Sequence, residues 1–144
     1  MWAAAELARL GKDARAVKGL IASARRDPFW AVRRSAVESL GKIPTKQIAT
    51  VLSSICLDPS SAVRTSALVS LGNLKDRGLI GFFKDRFQKE TSTRARAEAL
   101  RALGKTGDAA VIPFLIQSAS LASHQDIVKN AAEEALKQLQ ARKK

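Results

Sequence analysis

Four stretches of the chain place apolar residues four apart: Val32, Ala36 and Leu40; Val63, Ala67 and Leu71; Ala95, Ala99 and Leu103; Val128, Ala132 and Leu136. The i, i+4, i+8 spacing puts each trio on one face of a helix, and the small Ala at its centre lets a partner helix come close. A broader apolar face precedes each stripe. Its members are Val17, Leu20, Ile21 and Ala24; Ile48, Val51, Leu52 and Ile55; Leu79, Ile80, Phe83 and Phe87; and Val111, Ile112, Leu115 and Ala119. The pattern predicts an alternation of first and second helices joined by short turns.

The alternation is periodic. Leu-Gly recurs at Leu10-Gly11, Leu40-Gly41, Leu71-Gly72 and Leu103-Gly104, with the glycines 30, 31 and 32 residues apart, and one more step reaches Leu136-Lys137. The stretch DPFWAVRRSAVESLG (27–41) aligns with DPSSAVRTSALVSLG (58–72), while ETSTRARAEALRALG (90–104) and HQDIVKNAAEEALK (124–137) are weaker copies. A period near 30 marks a helical array, in which one hairpin cannot bury its apolar face but several stacked hairpins can. The expected fold is all-α, a right-handed α-solenoid of stacked hairpins forming a single domain over 1–144. It comprises a half repeat at 1–11, repeats at 12–41, 42–72, 73–104 and 105–140, and a basic tail at 141–144, and reads as a fragment of a longer protein.

Local signals fit this outline. Asp27 and Asp58 are expected to cap the second helices, with Pro28 and Pro59 at the first helical position. Gly41, Gly72 and Gly104 are expected to end helices by tolerating positive φ. Asp108 is the expected cap of the last first helix, which Pro113 should bend near its start.

The pattern D-P-x-x-x-V-R-x-x-A-x-x-x-L-G resembles the short HEAT-like repeats described in phycobilin lyases, over about Lys12 to Leu139. That resemblance implies an inter-repeat ladder, in which an Arg six residues after the capping acid bridges to the acid of a neighbouring repeat. Asp27/Arg33 and Asp58/Arg64 have the spacing, and Glu90/Arg96 has it with a longer acid. The last copy carries Ser123 and Lys129, so the ladder is expected to be weakest there. A narrower resemblance links DPFWAVRRSAVESLGKI to the C-terminal HEAT-like region of bacterial zinc aminopeptidases of the aminopeptidase N type. It implies a non-catalytic scaffold that packs against, or gates, a catalytic region holding the zinc. The partner is then the rest of the same chain.

Composition adds a charge question. The formal net charge is +12. Between Arg9 and Lys46 ten basic residues face three acids, a local excess of +7, and Arg142, Lys143 and Lys144 follow at the end. Such a surface attracts acidic proteins or nucleic acid. Without interleaved aromatics, it provides only nonspecific attraction to phosphates. Two alternatives therefore stand beside the scaffold: a freestanding protein–protein interaction module, and nonspecific nucleic-acid binding.

Catalytic and metal chemistry is poorly supplied. His124 is the only histidine, and there is no H-E-x-x-H, so a zinc peptidase site cannot be built from this chain. No cofactor, small-molecule ligand or membrane segment is expected, since no phosphate loop and no apolar run of membrane length occurs. Cys56, the only cysteine, reads as a small buried apolar residue. Phe29, Trp30 and Arg34 are the residues the repeat does not demand. Their counterparts are Ser60, Ser61 and Thr65 in the next copy, which makes them the candidate interface.

Overall fold

The computed structural model describes residues 13–121 and 126–142. The expected half repeat at 1–11, together with Ser123, His124, Lys143 and Lys144, lies outside the described residues. Within them the chain forms α1 (Ala14–Arg26), α2 (Trp30–Leu40), α3 (Lys46–Ile55), α4 (Ser61–Asn73), α5 (Ile80–Lys89), α6 (Thr93–Lys105), α7 (Ile112–Ala119) and α8 (Ile127–Ala141). Single 3-10 turns at Arg77–Leu79 and Ala109–Val111 lead into α5 and α7. This is the all-α, α-solenoid class of helical hairpins, with no strand among the described residues.

Contacts divide the chain into two compact units, 1–70 and 71–144, with the division inside α4. In the first unit α1 packs on α2, and both touch α3. Its core gathers Ala24, Val37, Leu40, Ile48, Leu52, Cys56, Val63 and Leu68. In the second unit α5 packs on α6, α7 on α8, and α6 on α8. Phe83, Phe87, Leu100, Leu103, Val111, Leu115, Val128 and Leu139 form its core. Phe87 meets Phe114 edge to face at 5.6 Å.

The structure corrects the expected role of the Leu-Gly glycines. Gly41 has φ −60°, and Gly72 and Gly104 lie inside α4 and α6, so none uses positive φ. They are needed for close approach. A Cβ on Gly41 would lie 2.6 Å from Ser70 Cβ. On Gly72 it would lie 3.0 Å from Ala102 Cβ, and on Gly104 2.6 Å from Ala135 Cβ and 2.7 Å from its Cα. Ser70, Ala102 and Ala135 each stand two residues before the Leu-Gly glycine, or its Lys137 counterpart, of their own repeat. Second helices thus meet through a glycine on one side and a small residue on the other, bringing the two backbones together.

Positive φ occurs three residues later, at Lys75 (54°) and Gly107 (72°). Pro44 occupies the equivalent place in the first copy, and its ring forbids that conformation. A left-handed lysine carries a steric penalty that glycine lacks. Lys75→Gly is therefore expected to stabilise the fold by about 1 kcal/mol, read as a raised urea midpoint with an unchanged m value.

Two further expectations are revised. Val32 is 41% exposed, whereas its counterparts Val63, Ala95 and Val128 are buried. Among the described residues no helix precedes α1 to cover that side of α2. It borders an open groove lined by Leu20, Ala31, Val32, Ala36, Ser23, Ser35 and Ser39. The Asp-Pro pairs also stand outside the helices. Phe29 is the N-cap of α2 and α4 begins at Ser61, so each Asp lies two residues before the cap position. There it closes a small turn, Asp27 accepting from the Phe29 N–H at 2.9 Å and Asp58 from the Ser60 N–H at 2.8 Å. Pro113 starts α7 within its first turn, where its missing N–H breaks no helical bond. Asp108 caps the 3-10 turn before it, accepting from the Ala110 N–H.

Candidate functional site: the arginine-braced turns

Each Asp-Pro turn presents carbonyls at the edge where a first helix turns into a second. Arg33, on the first turns of α2, reaches back to its own turn: Nη1 donates to the Asp27 carbonyl at 2.8 Å and to the Pro28 carbonyl at 3.4 Å. Its remaining edge makes a bidentate pair with Asp58, Nε to Oδ2 at 2.8 Å and Nη2 to Oδ1 at 2.9 Å. One planar guanidinium therefore ties two neighbouring turns together, a geometry its fork of donors suits. Arg64 repeats the first half of this arrangement, donating to the Asp58 and Pro59 carbonyls at 2.8 and 3.1 Å.

The third copy differs. Glu90, with a side chain only 1% exposed, accepts from the Thr91 and Ser92 N–H groups at 2.9 Å and from Arg86 Nη2 at 3.4 Å. Arg86 is itself buried, and its Nε has no hydrogen-bond partner. Arg96 does not hold its own turn's carbonyls. Its guanidinium lies 4.6 Å over the Phe87 ring, and Nε donates to the Phe87 carbonyl at 3.3 Å. Ser123, which holds the acid's place in the following copy, is outside the described residues.

Sequence reasoning missed Arg86 and a second network. Arg101 donates to Glu98 at 2.7 Å on its own helix and to Glu134 at 2.8 Å on α8. The i, i+3 spacing of Glu98 and Arg101, and the separation of one repeat between Arg101 and Glu134, were the available signals. For Arg86 the signal was its position four residues before Glu90, where the other copies have Ser23 and Ser54.

These pairings set the protonation of the acids. Burial pushes the Asp58 carboxyl upward, but the bonds from Arg33 and the Ser60 N–H, with the charges of Arg33 and Arg64, outweigh it and hold it below the usual carboxylate range. The Arg101 hydrogen bond does the same for Glu134, against a smaller opposing effect of burial. Asp58 raises the Arg33 guanidinium, and Glu134 raises that of Arg101. Both carboxyls bind protons more weakly folded than unfolded. Their stabilisation is complete above the unfolded value of about 4 and is lost as pH falls through the folded values. Thermal melts from about pH 7 to 2 should hold level down to about pH 5 and then decline. Asp58→Asn and Glu134→Gln should each flatten the decline.

The candidate interface residues are at the same edge of the first unit. Phe29 is 59% and Trp30 43% exposed, with ring centroids 6.1 Å apart and tilted by 52°. Arg34 points away into an exposed pair with Glu38 at 2.9 Å, so its charge is already matched. Among the described residues no three His, Cys, Asp or Glu side chains converge as metal ligands, and the zinc implied by the aminopeptidase resemblance finds no ligand set there. No helix of the described residues is long and apolar enough to cross a membrane. What this constellation does chemically is brace turns, with its charged groups largely consumed by one another.

Comparison with known proteins agrees with this architecture. No curated protein matches the sequence. Among solved structures, a chain of the complex of CpcE and CpcF of phycocyanin lyase from Nostoc sp. PCC7120 is 27% identical, with a TM-score of 0.60 over 92% of this chain. The chain spans 57% of the length of that relative. The pattern of HEAT repeats matches at residues 1–72, 17–100 and 58–137, and the chain therefore belongs to the HEAT-repeat family.

Proposed function

We propose that the chain is a non-catalytic HEAT-repeat scaffold whose role is to bind a partner protein. The observation that carries this reading is its similarity to a chain of CpcE–CpcF, an assembly of two proteins. The polar groups of the turns support it, being spent on bracing rather than arranged as acid, base and nucleophile. The test is native purification in about 0.15 and 0.5 M salt, followed by size exclusion and mass spectrometry. A stoichiometric polypeptide that stays bound at the higher salt is expected. Elution as a bare monomer, or with nucleic acid released by salt as counterion condensation requires, would overturn it.

A finer reading makes the partner the catalytic region of a zinc aminopeptidase in the same polypeptide. The likeness around Phe29 and Trp30 favours it, and the exposure of both rings is what a covered surface would show once its cover is removed. It requires an H-E-x-x-H motif with a downstream Glu in the upstream reading frame, and an upstream frame without one removes it.

A further inference from the structure

The N-cap of α2 is chemically out of place. Ser92 occupies the equivalent position of α6 and caps it, its Oγ accepting from the Ala95 N–H. Ser60 holds the same position ahead of α4. At α2 the position is Phe29, and no side-chain hydrogen bond caps the helix. Serine there would satisfy a free N–H, so phenylalanine gives up stability. Nor is Phe29 repaid by burial, since more than half of it is open to water. A large apolar side chain that neither caps nor is buried marks contact with something else when it belongs to a wider exposed apolar patch.

Phe29 is not isolated. Arg33 holds the Asp27 turn and the Asp58 turn side by side. Leu57, 72% exposed, stands beside Asp58 and lines a shallow hollow with Ala24, Ile55, Pro59 and Arg25. The two braced turns thus display Phe29, Trp30 and Leu57 along one edge of the first unit.

The net charge at this edge is positive. Arg25 and Arg26, in the last turn of α1, are exposed, and no described residue pairs with them. Of the nearby acids, Asp58 is paired with Arg33, and Asp27, whose carboxylate accepts from the Phe29 N–H, sets one negative charge against these two. The aromatic rings are tilted rather than parallel, and Leu57 has no face on which a base can stack, which disfavours a nucleic-acid strand. We infer that the braced turns of the first unit, carrying Phe29, Trp30 and Leu57 beside Arg25 and Arg26, are a docking edge for an acidic segment of a partner protein with apolar anchor residues. This deepens the protein-binding reading and rests on it. The apolar trio supplies the anchors and the arginines supply attraction and orientation.

The test uses a fluorescein-labelled synthetic peptide of aspartates and glutamates interrupted by Leu and Phe, titrated with the full chain. Controls are the same peptide with its apolar residues changed to serine, the same peptide with its acids changed to lysine, and a labelled oligo-dT. The first peptide is expected to bind saturably and about tenfold or more tighter than any control. Phe29→Ser should weaken it about tenfold while leaving Tm unchanged or raised, because serine restores the cap. Leu57→Ser should weaken it without unfolding the chain, and Arg25→Ser with Arg26→Ser should reduce its salt dependence. The proposal is overturned by no saturable binding of the peptide, by equal binding to the Phe29→Ser variant, or by a Phe29-dependent preference for oligo-dT. A native stoichiometric partner still retained by a Phe29→Ser, Trp30→Ser, Leu57→Ser triple variant would leave the scaffold reading intact and exclude this edge alone.

Discussion

Gly104→Val is expected to destabilise the protein by about 3 kcal/mol or more, lowering Tm by about 10 °C for a chain of this size. Intrinsic preference points the other way, since glycine inside a helix is worse than almost any other residue. The space decides. Even the first carbon added to Gly104 would lie 2.7 Å from the backbone Cα of Ala135, and backbone cannot swing aside as a long side chain can. Gly104→Ala should show the same sign with a smaller loss of about 1–3 kcal/mol. Gly19, within α1, provides the internal control: nothing lies within 4 Å of the point a methyl group would occupy there, so Gly19→Ala should gain about 0.5–1 kcal/mol. Denaturant melts of the three variants decide the matter. A stabilised Gly104→Ala would mean that the helices do not meet through this glycine.

Glu90→Ala is the second large effect, expected at about 3–5 kcal/mol. The loss does not come mainly from the ion pair itself, whose 3.4 Å contact is long. It comes from what remains: a buried Arg86 guanidinium and the Thr91 and Ser92 N–H groups, all deprived of an acceptor. Glu90→Gln keeps an oxygen for both N–H groups and should lose less. Adding Arg86→Met to Glu90→Gln removes the stranded charge and should recover stability relative to Glu90→Gln alone, because a buried pair is costly chiefly when halved. A double-mutant cycle by thermal melting measures this. Additive losses would show that Arg86 and Glu90 are not coupled.

These two cases show what was legible in the sequence and what was not. Helix faces were legible because burial imposes period, and Ala67, Leu71, Ala99 and Leu103 are all fully buried. The positions of the Leu-Gly glycines were legible too, but their cause was not. A glycine near a helix end reads the same whether it turns the chain or admits a neighbour, and only φ and the facing atoms of Ser70, Ala102 and Ala135 separate the two. Alignment treats repeats as equivalent, so it buries Val32 with its counterparts although no described helix covers it. The HEAT-like resemblance implied a bridge from Arg33 to the acid of a neighbouring repeat, which the structure shows as Asp58, yet said nothing of Arg86, which has no counterpart in the other copies. It paired Arg96 by analogy, where the structure stacks it on Phe87. Of the candidate interface, Phe29 and Trp30 were recognisable as surplus to the repeat. Leu57 was not, because its place beside them depends on the two turns that Arg33 brings together.

The bare cap of α2 also has a spectroscopic consequence. With no side chain accepting from the first turn, the amide protons of Trp30 and Ala31 have no acceptor among the described residues, while those of Val32 and Arg33 are bonded to the Phe29 carbonyl. In deuterated buffer the first two should exchange far faster than the next two, and anything that seats on this edge should slow them. Two adjacent amides thus serve as an isotopic gauge of occupancy, legible without knowing what the occupant is.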